Sequence, residues 1–122
     1  MATSLQEALD QVLSAEGVRT VALIDIASGM VVRFAGEPAP RFATAAASLA
    51  DEARAARHLL GPRPGGELEE ITTVTASGLQ LSKILLDKPG DGFLLFVDLD
   101  RARANIALAS LRVGQLASAV LA

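Results

Sequence analysis

A chain of 122 residues, 51% of them hydrophobic, fits one globular domain spanning 1–122, and its net charge of −3 and pI near 5.0 disfavour a phosphate-backbone partner. It has no Cys, Trp or Tyr and is only 3% aromatic, which removes disulfides, thiolate metal sites and cysteine nucleophiles and argues against aromatic cages or base-stacking platforms. No apolar run approaches the ~20 residues that cross a bilayer, and Met1–Glu7 lacks a basic region followed by an apolar core, so the expectation is a cytoplasmic protein that neither binds nucleic acid nor inserts into a membrane.

Ser4 and Glu7 have the spacing of a capping box, and Leu5, Ala8, Leu9, Val12 and Leu13 follow helical periodicity, so a first helix is expected over about Ser4–Glu16, ended by Gly17. Val18–Ile26 and Met30–Ala35, joined by Ala27-Ser28-Gly29, read as a hairpin. The unbroken apolar run Val21–Ile24 predicts a strand covered on both faces. After a loop at Gly36–Pro40, an Ala-rich helix is expected from about Arg41 to Leu60. Phe42, Ala46, Leu49, Ala53, Ala56 and Leu60 form its buried stripe, while Asp51, Arg54 and His58 lie opposite, among Thr44, Ala47 and Ala55.

Gly61–Gly66 breaks this helix, and a second hairpin follows: Leu68–Thr75, a turn at Ala76-Ser77-Gly78, and Leu79–Leu86. Asp87, Gly90, Asp91 and Gly92 suit a turn. Phe93–Val97 is apolar enough to be a central strand, and Asp98 or Asp100 can cap a last helix over about Arg101–Leu121. In that helix Ala102, Ile106, Ala109, Val113, Leu116 and Val120 line one stripe and Leu108 and Leu111 another, which predicts packing on both the sheet and the first helix. The order α-β-β-α-β-β-β-α gives an α/β (α+β) fold: one five-stranded antiparallel sheet with helices on both faces.

That order, with Glu16–Asp25 (EGVRTVALID), Ser28–Val32 (SGMVV) and Asn105–Ala109 (NIALA), resembles the roadblock (dynein light chain) family along essentially the whole chain. Ser28 stands where the family more often has Asp, and Ser110 where it has Arg. The resemblance implies a profilin-like sheet and a homodimer formed through the third strand and second helix. It further implies a non-enzymatic role without a cofactor, in which bacterial members regulate Ras-like small GTPases or act as scaffolds.

The residues support self-pairing independently. Ile71, Thr72, Thr73, Val74 and Thr75 are without charge, Pro or Gly, and an exposed edge of that kind invites a second strand. On the outer side of the second helix Thr44, Ala47 and Ala55 are small enough for a neighbouring helix to approach, although alanine equally fills a solvated face. A proline at Thr73 is expected to delete a ladder donor and with it the dimer. Arg41, Asp51, Arg54, Arg57 and His58 are the candidate partner-binding residues.

Catalytic and ligand motifs fail on inspection. Gly61–Gly66 matches G-x-x-x-x-G, but Glu67-Leu68 replaces the required Lys-Ser/Thr, two prolines remove backbone donors, and a strand follows. His58 is the only histidine, so a multi-histidine metal site is excluded and no triad can be assembled. Two other readings stand beside the GTPase regulator: a small-molecule sensor of PAS or GAF type, which needs an interior cavity with converging polar groups, and a scaffold that regulates no nucleotide cycle.

Overall fold

The computed structural model describes residues 4–37, 41–85 and 92–121. The elements are α1 (Leu5–Leu13), β1 (Val18–Asp25), β2 (Val31–Gly36), α2 (Phe42–Leu60), β3 (Glu70–Val74), β4 (Gly78–Leu85), β5 (Phe93–Asp100) and α3 (Ile106–Leu121). All strand pairs are antiparallel, and the sheet order is β2-β1-β5-β4-β3. The chain therefore makes an α/β fold with the expected element order. β5 takes the middle of the sheet, which accounts for the unbroken apolar run Phe93–Val97.

Each face of the sheet has its own core. Leu9 and Val12 of α1 and Val113 and Leu116 of α3 cover Val21, Leu23, Leu81, Leu95 and Val97 on one face. On the other, Ala46, Ala50 and Ala53 of α2 pack on Ala22, Ile24, Leu94 and Phe96. The small α2 side chains recur at i, i+4 and i+7 and bring that helix close to the sheet, while isoleucines and Phe96 fill the volume. Val21 to Ile24 are all buried, because β1 is flanked by strands on both sides and by helices on both faces.

Several boundaries differ from expectation for identifiable reasons. The capping box forms, with the Ser4 hydroxyl accepting from the Glu7 N–H at 3.1 Å, but α1 stops at Leu13. Gly17 then turns at φ +85°, where a Cβ would come within 2.6 Å of the Ala104 backbone, so only glycine fits between the end of α1 and the entry to α3. Gly36 closes β2 and does not open a loop. The turn expected at Asp87–Gly92 and the segment up to Pro40 lie, but for Gly92 and Gly36–Glu37, outside the described residues.

The largest correction concerns α3. Asp98 and Asp100 are strand residues of β5 and neither caps α3. Asn105 is the cap: its side-chain oxygen accepts from the Leu108 N–H at 3.0 Å. Ala102 therefore precedes the helix and is exposed. As expected, α3 packs on both the sheet and α1, and Arg112 donates to the Gln11 carbonyl at 3.2 Å; Leu108 and Leu111, however, line an open groove with Ala8 and Val12, and Leu111 is 58% exposed.

Candidate functional site: an open sheet edge beside helix α2

β3 is an edge strand, joined to β4 alone. Its direction of hydrogen bonding follows from two bonds that flank the hairpin: Thr75 N–H donates to the Gly78 carbonyl at 2.9 Å, and Ile84 N–H to the Glu69 carbonyl at 2.8 Å. In an antiparallel ladder the bonded positions alternate. Glu69, Ile71, Thr73 and Thr75 thus bond inward to β4, and Glu70, Thr72 and Val74 present their N–H and C=O groups outward. The donor at Thr73 points inward, so proline there would damage the hairpin and leave the open edge intact; the outward donors are at Thr72 and Val74.

The same register sorts the side chains. Ile71 and Thr73 share the α2 face with Ser82 and Gln80, whereas Thr72 and Val74 share the α1–α3 face with Leu81 and Leu79. Val74 is 57% exposed. Across positions 71–75 the edge carries no charge, and Thr75 folds its hydroxyl into the turn, accepting from the Gly78 N–H at 2.9 Å.

Helix α2 has two flanks. Ala47 lies over the β1–β2 turn, where a Cβ on Gly29 would sit 3.1 Å from its Cα. The Arg54 guanidinium, on the same flank, donates to the Ile26 carbonyl and pairs with Asp51; His58 follows one turn on and is exposed. The other flank looks toward β4 and β3: Ala45, Ser48 and Glu52 stand beside Gln80, the β4 partner of Thr73. Leu59 continues that flank at seven residues from Glu52 and is 82% exposed.

The candidate residues are consequently divided. Ile71–Thr75 lie together at the edge; Thr44 and Ala55 are exposed on the outside of α2, and Ala47 faces the turn at the far side of the sheet from β3. Asp51, Arg54 and His58 lie together, but Arg41 is at the opposite end of the helix, about 25 Å from His58 at 1.5 Å per residue, in a left-handed conformation at φ 64°. Arg57 is half-buried beside Gly66 and Leu68. Sequence reasoning missed Ala45, Ser48 and Leu59. Leu59 alone carried a signal, as a large aliphatic residue outside the buried stripe. Among the described residues no group of three His, Asp or Glu side chains could hold a metal, and no helix is long and apolar enough to cross a membrane.

This architecture is the roadblock fold. No family model matches the sequence, and no curated sequence matches it; the likeness to known proteins is structural. A Roadblock/LC7 domain from Streptomyces avermitilis superimposes with a TM-score of 0.78 at 16% identity, over 97% of this chain and 95% of that one. Among individual proteins the chain is similar to MglB. The Myxococcus xanthus MglB gives a TM-score of 0.80 at 19% identity, over 98% of this chain and 93% of that one. An MglB in a tetrameric arrangement gives 0.78 at 23%, over 96% and 85%. At these identities the likeness establishes the fold.

Proposed function

We propose that residues 1–122 form a single roadblock-like domain that works in the cytoplasm as a non-enzymatic homodimeric interaction module, binding and regulating a Ras-like small GTPase. The observation that carries the reading is the bare outer edge of β3: three outward backbone positions, Glu70, Thr72 and Val74, with Glu70 contributing the only charge of the strand. Unpaired strand edges of this kind are normally blunted. The roadblock fold supports the same reading, since it was the resemblance to that family that implied a GTPase partner, and one solved MglB is described in a tetrameric arrangement.

In this reading β3 pairs with β3 of a second copy, and the α2 flank of Ala45, Ser48 and Leu59 lies nearest the seam. The small Thr44 and Ala55 side chains contribute on the outside of the helix. Ala47, against Gly29, is dropped from the interface proposed for the dimer. The GTPase engages the other flank, at Asp51, Arg54 and His58, with Arg41 and Arg57 at the helix ends.

Thr72→Pro tests the dimer, because it removes an outward donor at an edge position and leaves the β4 ladder complete. The expected result by size-exclusion chromatography with light scattering at tens of micromolar is a wild-type dimer and a folded Thr72→Pro monomer. A wild-type monomer at that concentration sinks the homodimer. Co-elution with a Ras-like GTPase loaded with a non-hydrolysable GTP analogue, lost in His58→Glu, tests the partner; failure to co-elute by a stable dimer leaves a scaffold.

A further inference from the structure

One row of the sheet is polar where the rows beside it are largely apolar. Strand register aligns Thr73, Gln80, Asp98 and Thr20 across four neighbouring strands, on the face that α2 covers. The next row inward, Ala22, Phe96, Ser82 and Ile71, belongs mainly to the core. Thr20 and Asp98 of this row already have partners within the chain, and Thr73 is exposed, so the row is stable as it stands and offers acceptor positions on one wall of a cleft. Between this row and the first turns of α2 lies a cavity of about 410 Å³, the size of a metabolite site, for which the usual range is roughly 300–1,000 Å³.

The cavity wall has a definite chemistry. Phe42 and Phe96 stand with ring centroids 5.7 Å apart at 44° and provide an aromatic side. Thr20 is 3% exposed, and its hydroxyl already donates to the Glu37 carbonyl at 3.0 Å, so its oxygen can only accept. Asp98 and Glu52 add two carboxylates. Arg19 holds Asp98 from outside the cavity through both oxygens, its Nε 3.3 Å from Oδ2 and its Nη2 donating to Oδ1 at 3.4 Å, and of the about four acceptor sites of a carboxylate two are left toward the cavity. Among the described residues Glu52 has no ion pair, and no Lys, Arg or His lines the space. An acceptor-rich wall in which Glu52 carries the uncompensated negative charge, beside two phenyl rings, matches a cation that donates several hydrogen bonds.

We propose that this cavity binds a small organic cation, a primary ammonium or guanidinium carried on a short apolar body. The site is independent of the GTPase reading, shares Ala45 and Ser48 with the α2 flank placed nearest the dimer seam, and revives, inside a roadblock fold, the ligand-sensing role that a cavity with converging polar groups permits.

Titration of the full chain with phenethylamine and with agmatine, followed by amide chemical shifts, tests it. Saturable shifts are expected at Thr20, Ser48, Gln80 and Asp98. 2-Phenylethanol, which has the shape without the charge, should bind about tenfold more weakly, in line with the strength of charge-assisted hydrogen bonds. Glu52→Gln, an exposed and conservative change, should weaken amine binding by about fivefold with the spectrum otherwise preserved, and Asp98→Asn should act in the same direction. Equal binding of alcohol and amine overturns the proposal, as does indifference to both carboxylate variants. It also fails if these amides move with protein concentration alone and not with either amine, since the cavity is then filled by a second copy.

Discussion

In helix α2 the Arg54 guanidinium bonds to the carbonyl of Ile26, whose side chain is fully buried, and pairs with Asp51 one turn earlier. The two contacts differ in weight. Asp51 is exposed and the pair is an i,i+3 surface pair, a kind that contributes at most a few tenths of a kcal/mol. The carbonyl lies just past the end of β1, where the chain turns toward β2, and losing a charged donor to it costs more, about 1–2 kcal/mol. Arg54→Ala should therefore lower unfolding stability by about that amount in urea titrations, and Asp51→Ala by under about 0.5 kcal/mol; equal effects would show that the ion pair carries the contact. The pairing of Asp51 with Arg54 was legible from spacing alone. The Ile26 carbonyl was not, because it lies 28 residues away and is brought there only by the packing of α2 on the sheet.

At the scale of elements the sequence was clear wherever periodicity was strong and unclear where polar residues serve two purposes. β1, the two hairpins and the buried face of α2 follow from apolar spacing. Asp98 and Asp100 have the composition of a cap, yet Asp98 faces the α2 cleft as the cross-strand neighbour of Gln80 and Thr20, and Asp100 accepts from the Ala102 N–H at 3.0 Å in the turn that follows. Asn105 takes the capping role, so Asn105→Ala should destabilise the fold by about 1 kcal/mol through α3, read as a shift in the urea midpoint at unchanged slope. Helicity or midpoint insensitive to that change would deny the cap. The two sheet edges also separate at this scale. β2 has Arg33, and the Gln6 amide of α1 reaches the Phe34 carbonyl at 3.5 Å, a partial cover against strand addition. β3 has only Glu70 at its start; Arg33 and the uncharged run Ile71–Thr75 were legible in the sequence, whereas the reach of Gln6 across 28 residues to β2 was not.

For the whole molecule, charge and register together restrict how two copies can meet. Only Glu70, Thr72 and Val74 offer outward backbone groups, so a twofold-symmetric antiparallel pairing with shared hydrogen bonds must place one of these positions opposite another. Centring on Glu70 sets two carboxylates face to face, which is unfavourable. Centring on Thr72 sets Glu70 opposite Val74 of the other copy, bonds all three positions and keeps the carboxylates apart. Residues directly opposed in a hydrogen-bonded pair have Cα atoms about 5.5 Å apart, within the ~4.4–6.8 Å that a disulfide spans. The protein has no cysteine of its own, so Thr72→Cys introduces a single thiol. Mild oxidation should convert this variant to a covalent dimer on non-reducing gels, while Glu70→Cys and, on the opposite edge, Arg33→Cys remain largely uncrosslinked. If Glu70→Cys crosslinks and Thr72→Cys does not, the seam is displaced along β3. Crosslinking through Arg33→Cys alone would move the interface to β2, against the cover that Gln6 provides there.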